Sequence, residues 1–221
     1  MRSLFLVFAV LVRAPGASAQ ACLGLPPFTD ASIHLNLSGE FPDSATAYAI
    51  GIGAGAPSGL FANLGGGRVE YQGLDERSTF GFAELGFQLP AGRFQLCPVA
   101  GGYLGAGPDP EGGAIKVTSR GASAGAALGF QVAVPFVIVI PNIAVKYEYL
   151  SQKVSEFEVG SVTDTFHSGV VDLGVGLAYR NRISVQPLVH LPFASEDDQI
   201  SFGVFASVIL PVPVPGGLLG R

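Results

Sequence analysis

The chain has 221 residues, of which 48% are hydrophobic and 13% charged, with 31 glycines and no tryptophan, and its formal net charge is −5. That acidic balance argues against nucleic acid as a partner. No segment offers about 18 apolar residues without polar interruption, which excludes a transmembrane helix, and no stretch of ten or more residues carries an amphipathic helical period.

The N-terminus reads as an export signal. Arg2 precedes an apolar run at 4–12, and Ala17-Ser18-Ala19 forms a small-x-small cleavage site. Residues 1–19 are therefore expected to be a signal peptide, with 20–31 a short periplasmic segment. Lipid attachment at Cys22 is the weaker reading, because Ala19 rather than a leucine stands three residues before it. Losing Arg2 and Arg13 leaves 10 Lys+Arg against 17 Asp+Glu. Cys22 and Cys97 remain, and an exported chain with two cysteines most simply closes one disulfide.

After residue 31 the chain reads as strands throughout. Period-two alternation and turn signals predict ten, at 32–40, 46–55, 60–72, 78–89, 93–105, 116–132, 137–150, 165–179, 183–193 and 200–210. Eight is the alternative count. Lengths near ten suit tilted membrane-spanning strands. Residues 211–221 follow as a C-terminal tail. The odd-numbered connections hold 12 of the 17 acidic residues: Glu40, Asp43, Asp75, Glu76, Asp109, Glu111, Glu156, Glu158, Asp164, Glu196, Asp197 and Asp198. The even-numbered ones are short and carry no acid. An up-and-down meander puts the two sets at opposite ends, which predicts a barrel with acidic outer loops and trimmed periplasmic turns.

The faces point the same way. At 171–179, Val171, Leu173, Val175, Leu177 and Tyr179 alternate with Asp172, Gly174, Gly176 and Ala178. Small and charged residues cannot fill a soluble core to native density, so the large aliphatics are expected to face lipid. Tyr71, Tyr147, Tyr149, Tyr179 and Phe193 lie near strand ends, where interfacial aromatic girdles belong. The charged face supplies the lumen candidates Arg68, Glu70, Glu84, Arg120, Lys146, Glu148 and Asp172, expected to close the interior as ion pairs. Arg120 conflicts in phase with Ser119, Ser123 and Gln131, so a bulge in the sixth strand is expected. Cys97 shares parity with Gln95, Val99 and Gly101, which aims it into the lumen. The Gly/Pro-containing segment after Cys22 is long enough to fold back to it as a partial plug.

Catalytic chemistry is sparse. His34, His167 and His190 have no metal-ligand spacing, so neither a metal nor any other cofactor is expected. His167 and Ser168 are adjacent on a strand and face opposite ways, which argues against a hydrolase. The run Leu64-Gly65-Gly66-Gly67-Arg68 has no helix after it, so it reads as close backbone packing or strand bending and not as a phosphate loop.

Phe94-Gln95-Leu96-Cys97-Pro98-Val99-Ala100-Gly101, followed by Gly107-Pro108, resembles a stretch of small bacterial outer-membrane barrels of the OmpA-like transmembrane or OmpX-like type. The resemblance implies an all-β transmembrane barrel over 32–210, in contact with outer-membrane lipids, folded by barrel-assembly machinery and monomeric. In that family the assembly signal is a terminal aromatic strand, so here it is expected internally, around 202–210. The functional expectation is a structural or surface protein without enzymatic activity. A small porin is one alternative, and a soluble secreted barrel holding an apolar ligand is another.

Overall fold

A computed structural model describes residues 21–25, 31–72, 77–91, 93–107, 115–156, 160–193 and 200–212. The expected signal peptide, most of the acidic loop residues and the tail beyond residue 212 lie outside them. Ten long strands follow in chain order: β1 (Ser32–Phe41), β2 (Ala45–Gly55), β3 (Leu60–Tyr71), β4 (Arg77–Phe87), β5 (Phe94–Ala106), β6 (Ile115–Phe130), β7 (Ile138–Glu156), β8 (Gly160–Tyr179), β9 (Ile183–Phe193) and β10 (Ser201–Pro211). Each pairs antiparallel with its chain neighbours, and β1 pairs with β10, so the sheet closes into an up-and-down barrel with no free edge. Two short pieces, Leu89–Ala91 and Val132–Ala133, extend hairpins at the turn end. At the same end β8 passes to β9 through a tight turn in which Arg182 N–H donates to Tyr179 O at 3.1 Å. Arg180 and Asn181 take φ of 51° and 54°, the double positive φ of a primed turn that matches strand twist, and Arg182 completes the connection to Ile183, the register partner of Tyr179.

The stagger sets the dimensions. Partners followed sideways from Ser151 run through Arg120, Leu104, Gly81, Gly66, Ile50, Leu37, Ala206, Val185 and Leu177. The row returns to β7 at Val139, twelve residues below its start. With ten strands, that shear tilts each strand by about 40° and holds the backbone about 10 Å from the axis.

Alternate residues then face two media. The outward set includes Leu35, Leu37, Ile50, Ile52, Leu64, Leu85, Val145, Leu173, Val175, Leu177, Val204 and Val208, all exposed. Along β6, outward positions run from Arg120 through Ala122, Ala124, Ala126 and Leu128 to Phe130. Those ten steps rise about 25 Å at the given tilt, the height of an outer-membrane apolar band. Tyr48, Tyr147, Tyr149, His167 and Phe193 ring the loop end of this band, and Phe94, Phe130 and Tyr179 its turn end, with the Phe94 and Phe130 rings edge-to-face at 5.4 Å. A charge placed in the band is expected to be costly. Leu173→Arg, near mid-height, should lose about 2–4 kcal/mol of folding stability in lipid vesicles, whereas Thr165→Arg, eight residues nearer the loop end on the same face of β8, should lose at most about 1 kcal/mol. Urea titration of both variants refolded into vesicles measures the difference, and equal costs would mean that lipid does not cover this face.

Three local readings change. No bulge interrupts β6: its pairing with β5 runs unbroken from Phe94↔Phe130 to Ala106↔Thr118, and odd residues face inward throughout. The conflict disappears because Arg120 faces out. The connection expected between 150 and 165 is mostly strand, since β7 and β8 stay paired up to Glu156↔Gly160 and, with β6, project past the barrel wall. Val154 and Val162 pair directly there, a β-branched couple that favours sheet over loop. The interior is also less uniformly small than its sequence parity implied. Phe61, Phe80, Phe82 and Tyr103 point inward, and each ring lies where a glycine leaves space. A Cβ at Gly65 would lie 2.4 Å from Phe82, one at Gly67 2.7 Å from Phe80, one at Gly86 2.1 Å from Phe61 and one at Gly121 2.1 Å from Tyr103. The glycine run of β3 is thus a seat for two rings of β4, the side-by-side ring-on-glycine packing that compensates a residue with no side chain.

Candidate functional site: the barrel lumen

The lumen divides into three levels. At the turn end, residues 21–25 lie inside. Cys22 and Cys97 form a disulfide with Cα atoms 6.0 Å apart, and both are fully buried. Cys97 sits at an inward position of β5, between Gln95 and Val99, and a single 3-10 turn at Ala21–Leu23 carries Cys22 to it. Phe61, Val99, Ala127 and Ala144 pack around the bond. Leu25 is buried as well. Gly24 lies against the inner wall, where its carbonyl oxygen would be 2.0 Å from a Cβ at Gly176, so only glycine admits this approach. Gln95 reaches both Cys22 Sγ (3.7 Å) and Gln88 (Nε2 to Oε1, 3.4 Å), and beside this plug Gln186 donates to Asn142 at 3.0 Å.

The middle level is charged. Lys146 of β7 reaches Asp172 of β8 at 3.0 Å, both side chains largely buried. Asp172 also takes a short hydrogen bond from His190 Nδ1 on β9, its direct register partner. His190 Nε2 points at Glu40 of β1, 3.8 Å away, and Glu40 accepts from Ser201 of β10 at 2.6 Å. Glu148 lies two residues beyond Lys146 on the same inward face. Across the lumen Glu84 accepts from Asn63 at 3.2 Å. Lys146 is the one lysine or arginine facing the lumen among the described residues, set among four carboxylates.

Above this network lies a vestibule of about 670 Å³, lined by Glu40, Tyr71, Ser78, Phe80, Phe82 and Tyr103. Tyr71 points into it, with its hydroxyl 3.1 Å from Ser78 Oγ, and so leaves the aromatic girdle to which its sequence position had assigned it.

Of the seven charged residues expected inside, the structure places Glu84, Lys146, Glu148 and Asp172 on inward positions. Arg68, Glu70 and Arg120 face outward. Arg68 is register partner to outward Tyr48 and has its guanidinium 5.8 Å from that ring, and Glu70 bridges Arg68 at 3.2 Å and Arg77 at 3.5 Å. The physical reason is height. All three sit at the aromatic girdle or beyond it, so a long outward side chain there carries its charge to headgroups and water, and charge no longer marks the inner face. His190 and Glu40 were not among the expected lumen charges, although His190 shares parity with Ser184 and Gln186, whose small polar character marks the inner face. Among the described residues no group of three His, Cys, Asp or Glu side chains could hold a metal ion.

Fold, apolar outer wall and polar, plugged interior together define a membrane-spanning β-barrel of the bacterial outer-membrane type. The translocator domain of the autotransporter NalP from Neisseria meningitidis shares this fold, with a TM-score of 0.50 at 14% identity over 82% of this chain and 88% of that one. The chain is also similar to the transport unit of the autotransporter AIDA-I from Escherichia coli (TM-score 0.49, 12% identity, 96% of each chain) and to the attachment invasion locus protein Ail of Yersinia pestis (TM-score 0.43, 11% identity, 81% and 96%). No protein-family model and no curated protein matches the sequence.

Proposed function

We propose that the protein is a sealed outer-membrane barrel with a structural or cell-surface role, present as a monomer and folded by barrel-assembly machinery, with its acidic loop end outside. The observation that carries this reading is the disulfide-held segment Cys22–Leu25 lodged in the lumen, stacked beneath the Lys146–Asp172–His190 network. A barrel of about 10 Å backbone radius has little free cross-section once rings, a plug and an ion-pair layer occupy it. The lumen thereby serves stability, and the vestibule above it is a blind cup. No catalytic step is assigned. His167 faces outward against Tyr147, with 2.6 Å between Nδ1 and the hydroxyl, so Ser168 on the opposite face is out of its reach. His190 holds Asp172 with Nδ1, and the hydroxyl of its register partner Ser201 is turned to Glu40, to which it donates at 2.6 Å.

Planar-bilayer recording of the refolded, oxidised protein tests the proposal. The expected trace shows no unitary conductance steps. Steps of uniform size from the oxidised protein would make it a small channel and overturn the sealed reading.

A further inference from the structure

The outer wall at the loop end carries a feature that the sealed lumen does not explain. Arg120 of β6 and Lys153 of β7 open onto one shallow recess of about 540 Å³, with Leu104, Thr118, Ser151 and Thr163 around them. Among the described residues neither cation has a carboxylate within ion-pair distance, in contrast to Arg68 and Arg77, which share Glu70. Asp164 is next to Thr163 in sequence but lies on the opposite face of β8. Lys116, two outward positions above Arg120 on β6, adds a third positive charge to the same wall.

Height decides what these cations meet. Arg120 pairs with Ser151, one outward position beyond Tyr149, and the strand tilt brings Arg120, Tyr149 and His167 within about 5 Å of one another along the axis. Tyr149 and His167 belong to the girdle, with ring centroids 5.3 Å apart. The two cations therefore stand at the boundary between hydrocarbon and headgroups. Below Arg120 the wall is smooth, since Ala122, Ala124 and Ala126 on β6 flank Ala100 and Gly102 on β5, all outward, and the rings of Tyr149 and Tyr147 below Lys153 border it on β7. An unpaired guanidinium beside an ammonium, at headgroup height over a flat apolar wall, matches a phosphate joined to acyl chains. The planar guanidinium fork takes two phosphate oxygens, the ammonium takes a third, and the hydroxyls of Ser151 and Thr163 suit a sugar.

We propose that Arg120 and Lys153 bind a phosphate of an outer-leaflet phosphoglycolipid, whose acyl chains lie on the alanine wall beneath. The proposal rests on the loop end facing outward and is independent of whether the lumen is sealed.

Native mass spectrometry of the folded full-length protein in detergent tests it, with bisphosphorylated lipid A as the probe. The expected result is one retained lipid, and a roughly 30-fold weaker affinity for the double variant Arg120→Gln/Lys153→Gln, from about 1 kcal/mol per interfacial cation. Arg68→Gln, on β3, should leave binding unchanged. Heat-modifiable gel mobility confirms that each variant is folded. Equal binding by the double variant, or equal binding of a phosphate-free lipid A, would overturn the phosphate contact. Phosphatidylglycerol bound as tightly would make the patch a general anionic-lipid surface, and displacement by millimolar inorganic phosphate would make it a free-anion site. Either result overturns the glycolipid assignment. External protease on intact cells reads the orientation separately. Cleavage within 108–114 only after permeabilisation would place the patch at the inner leaflet and overturn the proposal while leaving the sealed barrel standing.

Discussion

Cys22→Ser is expected to lower the folding stability of the oxidised protein by about 4–5 kcal/mol. The bond closes a loop spanning a sequence separation of 75 residues, and in the chain-entropy model a loop of that length removes about that much from the unfolded ensemble. The loss should equal that of Cys97→Ser and of the double variant, because all three remove one constraint. The plug should leave with it. Apart from the bond, Cys22–Leu25 is held inside by burial of Leu25, packing of Leu23 and the close approach of Gly24 to Gly176, too little to pin a terminal segment against its own entropy. Gly176→Val should dislodge the same segment with the disulfide precursors intact, because its side chain would occupy the place of the Gly24 carbonyl. The chain has no tryptophan, so far-ultraviolet circular dichroism or gel mobility follows the urea transition better than fluorescence does. An oxidised Cys22→Ser protein that unfolds at the wild-type midpoint would mean that the disulfide constrains nothing.

Lys146→Met is expected to cost about 3 kcal/mol, the lower end of what removing one member of a buried ion pair takes, since the vestibule leaves the network partly hydrated. The substitution strands Asp172, with Glu148 and Glu84 nearby, and leaves only His190 to answer it. The sign is informative in the double variant. Lys146→Met with Asp172→Leu removes both charges and should recover most of the loss, because two apolar side chains of similar volume replace a pair that had to be desolvated. If the two single costs simply add in the double variant, the side chains are not coupled and the network does not seal the lumen.

Much of this architecture was legible in the residues. Strand period, ten strands, the inward aim of Cys97 and the outward aim of Val171, Leu173 and Val175 all follow from alternation, which depends only on the pleat and on the contrast between lipid and interior. The inner placement of Lys146, Asp172 and Glu84 followed from the same rule, because these residues lie at band height, where an outward charge would be prohibitive, and Glu148 keeps the parity of Lys146. That rule holds only within the band. Near the loop end an outward Arg68 or Arg120 costs nothing, so parity inferred from charge failed there, and it created a bulge in β6 that the pairing does not contain. One phenylalanine inside was hidden for a related reason. Phe61 shares parity with Val69 and Tyr71 and looks lipid-facing on its own strand, whereas Phe80 and Phe82 share the parity of Glu84; only the register of β3 with β4 puts each ring over a glycine.

The sequence by itself determined the class of fold and the medium on each side of the wall, because those are set one strand at a time by residues two apart. The tertiary structure alone decided which charges meet. Asp172 takes His190 from the next strand and Lys146 from the previous one, and His190 turns toward Glu40 at the far end of the described chain's order, joined to it by closure of the barrel. It also decided that Arg120 and Lys153, 33 positions apart, stand together with no carboxylate in ion-pair distance among the described residues. Register and shear fix such neighbours, and both come from the closure of all ten strands, a property that no single strand carries.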